Sequence, residues 1–327
     1  MKINSFVKQI AVASLIAGVF SFAPGIYSIP VVHAERVVRI NNAAATYDEK
    51  IKEGDDLLYL GEADEAIMLY TEAIKMEPKN VIAYNKRGLA YYSMNEYSDA
   101  ADDFNKAVTL APNDPISYLN RGYIYGLLND NNQEIDDYNK AIQLDPNLSK
   151  SYFYRSQYYH YQKDKKEKSR EMDDLNKAIE LVENDEDSNK ENNNDLYIYY
   201  TYRGEAYLNI KDTDKAKENF KKAIHLDPEH ASGAYRNIGN LYLKEKNYNR
   251  AIENYTKAVQ IDYSDGEAYF NRGKCYKKIG NKQRSKSDFN KANKLGYSGS
   301  GKSSFLSIIN KITKITKEYD RAKNRYK

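Results

Sequence analysis

Apolar positions in this chain recur at helical spacing, broken by short polar stretches at regular intervals. Between Val81 and Asp114, Tyr84, Gly88 and Tyr91 follow one another at four and three residues, and Ala100, Phe104 and Ala107 do the same after a polar break. Each trio lies on one face of a helix, so the segment reads as two amphipathic helices joined by a turn. The same arrangement starts at Tyr47 and at Pro115. Gly54, Gly88 and Gly122 stand 34 residues apart, as do Ala73, Ala107 and Ala141, and Pro78, Pro112 and Pro146. The small residues let paired helices approach, the large ones fill the gaps, and the proline ends the second helix because it has no N–H to donate. A fixed period of this length marks a stacked-repeat architecture.

The fourth unit, 149–182, is irregular. Ser156 replaces the glycine, and Glu183 stands where proline is expected. Its Asp173–Ile179 stretch matches Asp136–Ile142 at a displacement of 37 instead of 34, which puts three extra residues in the turn between Lys163 and Arg170. Residues 183–196, dense in Asn and acids, predict a solvated loop. The regular pattern resumes at Tyr197 with Gly204, Gly239 and Gly273 and runs through 297, giving three units before the irregular one and three after it. Residues 298–304 are a Gly/Ser joint. Beyond it Ile308, Ile312, Ile315, Tyr319, Ala322 and Tyr326 form an apolar stripe among lysines and arginines, which predicts a basic amphipathic helix capping the last unit. The alternative is a helix lying on an anionic membrane or envelope polymer.

In phase over Tyr47 to Leu295, these tyrosine, glycine, alanine and proline positions resemble the tetratricopeptide repeat family. The resemblance implies an all-α fold: a right-handed superhelical α-solenoid of about seven antiparallel helix pairs, with a concave groove lined mainly by the first helix of each pair. Glu134, where alanine is usual, Ser156 and the insertion depart from that pattern.

The N-terminus differs from the rest. Lys2 and Lys8 precede an apolar run from Ile10 to Phe20, Pro24 and Gly25 follow, and Val32-His33-Ala34 offers a cut before Glu35. Residues 1–34 therefore predict a secretory signal peptide, with 35–46 as a linker, and export to a periplasm or the exterior. An uncleaved membrane anchor is the alternative, opposed by Pro24, Gly25 and Pro30. The 327-residue chain has a net charge of +3, and loss of the leader removes two lysines, so bulk charge implies no nucleic-acid partner. The single cysteine, Cys275, excludes an internal disulfide, and its bland reading is a small half-buried residue.

Gly296 to Ser303 matches the phosphate-loop pattern G-x-x-x-x-G-K-S, but it follows a repeat helix where that mechanism needs a strand, so it reads as a joint. His225 and His230 lack a third metal ligand at useful spacing. Asp102-Asp103, Asp136-Asp137 and Asp173-Asp174 recur with the period and read as solvated scaffold. No catalytic, cofactor or metal role is assigned to any residue, and the chain reads as a non-enzyme.

The family geometry places Leu89, Tyr92, Leu119, Tyr123, Phe153 and His160 in the groove of the first four units, and Arg236, Asn240, Phe270, Asn271 and Lys274 in that of the last two. Acidic and aliphatic positions come first, aromatic ones in the middle, basic ones last. That surface suits a peptide or partner protein with apolar anchors. Some family members hold a peptide carboxylate with a basic residue and two asparagines placed like Arg236, Asn240 and Asn271, which implies an anion-binding end. The reading is an exported interaction scaffold; its alternatives are an envelope-attached structural protein and, remotely, a nucleotide binder at 296–303.

Overall fold

The computed structural model describes residues 45–162, 164–185 and 190–298, the side chains of 165 and 190–193 excepted. The leader, the phosphate-loop match at Lys302 and Ser303, and the capping segment lie outside the described residues. Within them there are fourteen helices and no strand: α1 (Tyr47–Tyr59) with α2 (Ala63–Met76), α3 (Val81–Ser93) with α4 (Tyr97–Leu110), α5 (Pro115–Leu127) with α6 (Asn131–Leu144), α7 (Ser149–Tyr161) with α8 (Lys165–Glu183), α9 (Lys190–Asn209) with α10 (Thr213–Leu226), α11 (Ser232–Lys244) with α12 (Tyr248–Ile261), and α13 (Gly266–Lys278) with α14 (Lys282–Lys294). The chain divides into two compact units, Met1–Asp195 and Leu196–Lys327. The fold is all-α, a stack of helix pairs.

The 34-residue period has a direct packing cause. Each in-phase glycine of a first helix meets an aromatic ring sixteen residues later. A Cβ on Gly88 would lie 2.8 Å from the Phe104 ring, and one on Gly239 2.7 Å from Tyr255, both below van der Waals contact. Phe104 and Tyr255 are fully buried, as are the alanines Ala100, Ala107, Ala251 and Ala258 on the same helices. The fourth pair solves the same problem with different volumes. Ser156 carries a Cβ, and the residue in the ring's register is Leu175, which is buried in place of an aromatic. Ser156 Oγ donates to the Phe153 carbonyl at 2.6 Å, so the added hydroxyl is satisfied within its own helix.

The turns are also periodic. Gly61, Asn95, Asn129, Lys211, Lys246 and Gly280 all take φ between 60° and 83°, each seven residues after its glycine. The next N–H reaches back to the first helix, as Glu96 N to Tyr91 O and Asn247 N to Tyr242 O, both at 2.9 Å. This is the left-handed helix cap, which glycine and asparagine accept easily and lysine does not.

Three expectations are corrected. The inserted residues do not lengthen a turn: α8 starts nine residues after Ser156, as every other second helix does after its glycine, and the insertion lies inside it. With no proline at 183, α8 also runs on to Glu183, reaching 19 residues. The loop expected over 183–196 is shorter, because α9 already begins at Lys190. Nothing in Lys190–Asp195 breaks a helix, and extending one backwards gains a hydrogen bond per residue. Third, the acid pairs are scaffold but not solvated. Asp103, Asp137 and Asp174 are buried, and only the first aspartate of each pair is exposed.

Candidate interaction surface

Those buried aspartates fix the first helices. Arg121 Nε donates to Asp137 Oδ2 at 2.8 Å and Nη2 to Oδ1 at 2.7 Å, while Nη1 reaches back to Asn105 on α4. Arg87 holds Asp103 and Thr71, Arg155 holds Asp174 and Asn139, and Arg272 holds Asp288 and Thr256 in the same way. One guanidinium thus joins three helices: its own, its partner, and the second helix of the preceding pair. Burial raises the Asp103 and Asp174 carboxyls above their ordinary range although the arginines pull the other way. The signal was in the sequence, as arginine directly before the glycine and aspartate sixteen residues on, and the periodicity of the acid pairs alone did not expose it.

So positioned, α3, α5 and α7 lie side by side and present one face. Of the expected groove residues, Leu89, Tyr92 and Tyr123 meet there, and Phe153 joins them through the Tyr154 ring. Leu89 and Tyr123 are half-buried, while Tyr92, Leu119 and Phe153 are mostly covered. Aromatic rings run across the helices: Tyr92 to Tyr123 at 5.4 Å, edge on, Tyr123 to Tyr154 at 5.2 Å, and Tyr154 to Phe153 at 5.4 Å. The Tyr92 and Tyr123 hydroxyls are 3.0 Å apart. Leu89, Tyr92, Phe104, Tyr123 and Ile124 surround a shallow open dimple that also takes in Asn120. Two residues that sequence reasoning passed over complete the face: Ile82 and Ile116, at the starts of α3 and α5, are 47% and 42% exposed. Their signal was an apolar residue out of phase with the glycine.

His160 sits instead at the end of α7 with Nδ1 2.6 Å from Glu171 Oε1 on α8, and Lys168 Nζ lies 3.3 Å from the other oxygen. Glu171 is buried. It shares its register with Glu134, where the other second helices carry alanine or, in α14, Ser285. Burial pushes the Glu134 carboxyl up to about 7, against a hydrogen bond from Tyr138 that lowers it. The neighbouring Gly126 leaves room for that carboxylate: a Cβ there would lie 2.7 Å from Glu134 Cδ.

In the second unit, Arg236, Asn240 and Asn271 do come together, but around carboxylates of the chain itself. Arg236 Nη1 donates to buried Asp265 at 2.8 Å, and its Nε lies 3.8 Å from Glu267. Asn240 donates to Glu267 at 3.3 Å and accepts from Tyr255 at 2.7 Å and from Asn271 at 3.0 Å. Asn237 donates to Glu205 at 3.1 Å. Burial would depress the guanidinium, but Asp265 and Glu267 more than offset it and hold it above its ordinary value. The place expected to take a ligand's carboxylate already holds two. Phe270 packs on Phe289 and Tyr297 at 5.2 and 5.5 Å, and Lys274 is exposed with Nζ 5.8 Å from the Phe270 ring.

Cys275 is fully buried, and burial pushes its thiol up to about 11 despite Lys274 beside it. Among the described residues no three His, Cys, Asp or Glu side chains are grouped to hold a metal ion, and no helix is long and apolar enough to cross a membrane.

Comparison with known proteins agrees with this geometry. The tetratricopeptide repeat matches residues 51–115, 116–148, 197–230 and 266–295, and the TPR repeat matches 239–280, together more than half of the chain. Tetratricopeptide repeat protein 28 of Homo sapiens is 36% identical over 59 residues, which is 18% of this chain and 2% of that protein. A chain of the APC/C hetero-tetramer Cut9–Hcn1 aligns with a TM-score of 0.58 at 16% identity, covering 81% of this chain and 49% of that one. Pseudomonas aeruginosa PilF aligns with a TM-score of 0.58 at 17% identity, covering 70% and 96%. At these identities the two structures share the fold. The chain spans about half of the Cut9–Hcn1 chain and a small fraction of the curated relative. The period, the glycine-to-ring packing and these matches agree: the chain belongs to the tetratricopeptide repeat family.

Proposed function

We propose that this protein is an exported, non-enzymatic interaction scaffold that takes a peptide or protein segment along the face of α3, α5 and α7. The observation that carries the reading is the exposure of Ile82 and Ile116 on the two helices that also carry the packed rings of Tyr92 and Tyr123. An apolar strip on rigid, arginine-fixed helices offers anchors to an amphipathic helix or an extended peptide. The Asn120 amide at the dimple suits a backbone amide of the bound segment. The dimple is shallow and open, which suits single side chains of a macromolecule better than a whole small molecule. Export rests on residues 1–34, whose charged start, apolar run and small-residue cut fit a leader.

The test is crosslinking in the native cell followed by mass spectrometry, with Ile82→Glu/Ile116→Glu as the comparison. Both positions are exposed, so the fold should survive the change, as circular dichroism would check. The reading expects partner recovery to fall at least tenfold in the variant. Equal recovery from both proteins refutes this face as the binding surface. Sequencing of the secreted chain should start at Glu35.

A further inference from the structure

The two blocks of repeats carry opposite charge. Residues 47–148 hold 20 Asp and Glu against nine Lys and Arg, and residues 197–297 hold 20 Lys and Arg against 12 Asp and Glu. The near-neutral total hides this. The inversion is sharpest at one register on the second helices, the residue before the first buried alanine. That position is Glu65 on α2 and Asp99 on α4, but Lys215 on α10, Arg250 on α12 and, before Ser285, Arg284 on α14.

At a shared register these side chains lie on one flank of the second helices. Asp99, Asp102 and Asp136 are exposed and have no ion-pair partner among the described residues. On the basic side Arg250, Lys257 and Arg284 are exposed and equally without an ion pair. Arg250 stands 5.6 Å from the Tyr242 ring and Arg284 5.6 Å from Tyr276, so the rings support the guanidinium stems and leave the charge outward. Lys215 is placed likewise over Tyr207 at 5.4 Å, but Asp212 at 3.4 Å partly neutralises it. Lys106 and Lys140 share that flank in the first block and Glu253 in the second, so each block displays there an excess of one sign and not one sign alone.

We infer that the acidic outer flank of α4 and α6 in one copy of this chain binds the basic outer flank of α12 and α14 in another. Like charges within each block would otherwise repel at low salt, and a flank of opposite sign relieves both. The contact is heterologous, two different patches, so copies add one after another unless the rotation closes a ring. It leaves the first-helix face free and does not depend on what that face binds.

The test is sedimentation velocity of the full chain over a concentration series, at about 20 mM and about 500 mM salt, where screening lengths differ several-fold. The proposal expects mass to grow with concentration at low salt and the growth to vanish at high salt. Two variants give the decisive arm. Asp99→Lys/Asp102→Lys/Asp136→Lys makes both flanks basic, and Arg250→Glu/Lys257→Glu/Arg284→Glu makes both acidic. Each alone should associate about tenfold or more weakly than the parent, and an equimolar mixture should associate again. Exposed positions were chosen so that folding survives, and the mixed arm reports on the contact directly. A parent that stays monomeric at both salts, or a mixture that gains nothing over its parts, overturns the proposal. So does a monomer retained on heparin, which would assign the basic flank to an anionic polymer.

Discussion

Replacing Asp137 by alanine tests whether the arginine bridges hold the helix pairs together. Asp137 accepts Arg121 Nε at 2.8 Å, Arg121 Nη2 at 2.7 Å and Gln133 Nε2 at 2.9 Å. The side chains are 15% and 2% exposed, so the pair is close to dry. Without the carboxylate the guanidinium keeps the Asn105 oxygen at 3.1 Å and the Tyr118 and Tyr125 rings at 5.4 and 6.0 Å. Removing one member of a buried pair costs about 3–5 kcal/mol, and these residual partners place this case near 3. Asp137→Asn should cost less, about 1–1.5 kcal/mol, because one acceptor remains. The protein contains that solution already: Arg203 Nε donates to Asn219 Oδ1 at 2.8 Å. The double variant Arg121→Met/Asp137→Leu removes both charges and should lose less than Asp137→Ala alone. Urea unfolding followed by circular dichroism measures the three, with native-state hydrogen exchange locating the loss, since a repeat stack need not unfold in two states. If Asp137→Ala stays within about 0.5 kcal/mol of the parent, or the double variant loses the sum of its singles, the pair is not a structural bridge.

Glu134 makes the first unit pH-sensitive. Its carboxyl is raised to about 7 in the folded protein, so its contribution is full below the ordinary glutamate value and is lost as pH rises through 7. Glu134→Gln should flatten that dependence and gain about 1–3 kcal/mol at pH 8, read from urea midpoints between pH 5 and 8; parallel profiles would contradict it. Lys246 occupies a left-handed position, φ 60°, where Gly61 and Gly280 stand in other turns. Lys246→Gly should therefore stabilise the second unit by about 0.5–1 kcal/mol in the same assay, and a loss would show that the turn is unstrained. Cys275 should react with a disulfide reagent only as fast as the second unit opens, because the thiol is fully covered and held protonated. Rapid labelling of the native protein would refute its burial.

What the sequence disclosed depended on whether a residue's role repeats. Most of the glycines, alanines and prolines recur in phase, and each in-phase glycine meets a ring at the same spacing, so their spacing alone revealed the helix pairs and the all-α fold. Ser156 showed as an exception, but its compensation by Leu175 needed knowledge of which side chains face one another. In the asparagine-rich stretch polarity alone points to a loop, whereas Lys190–Asp195 needs only the absence of a breaker to join α9. For the surface, periodicity identified the first helices that carry Leu89, Tyr123 and Phe153. It did not foresee that Asp265 and Glu267 would occupy Arg236, because that pairing joins two helices at a spacing used once.

The arginine bridges also bear on how the molecule would respond to force. A serial stack pulled from its ends opens where one pair is least firmly attached to the next. In the first unit Arg87, Arg121 and Arg155 each cross such a seam. In the second, Arg272 crosses from α13 to α12, but the matching residue of α11 is Ile238, which has no charge to reach back to α10. That seam is spanned instead by Lys217 to Glu245 at 2.9 Å, nearer solvent, and by Asn237 to Glu205. Under tension the second unit should part between Leu226 and Ser232, making that turn a tear line where the remaining pairs stay whole.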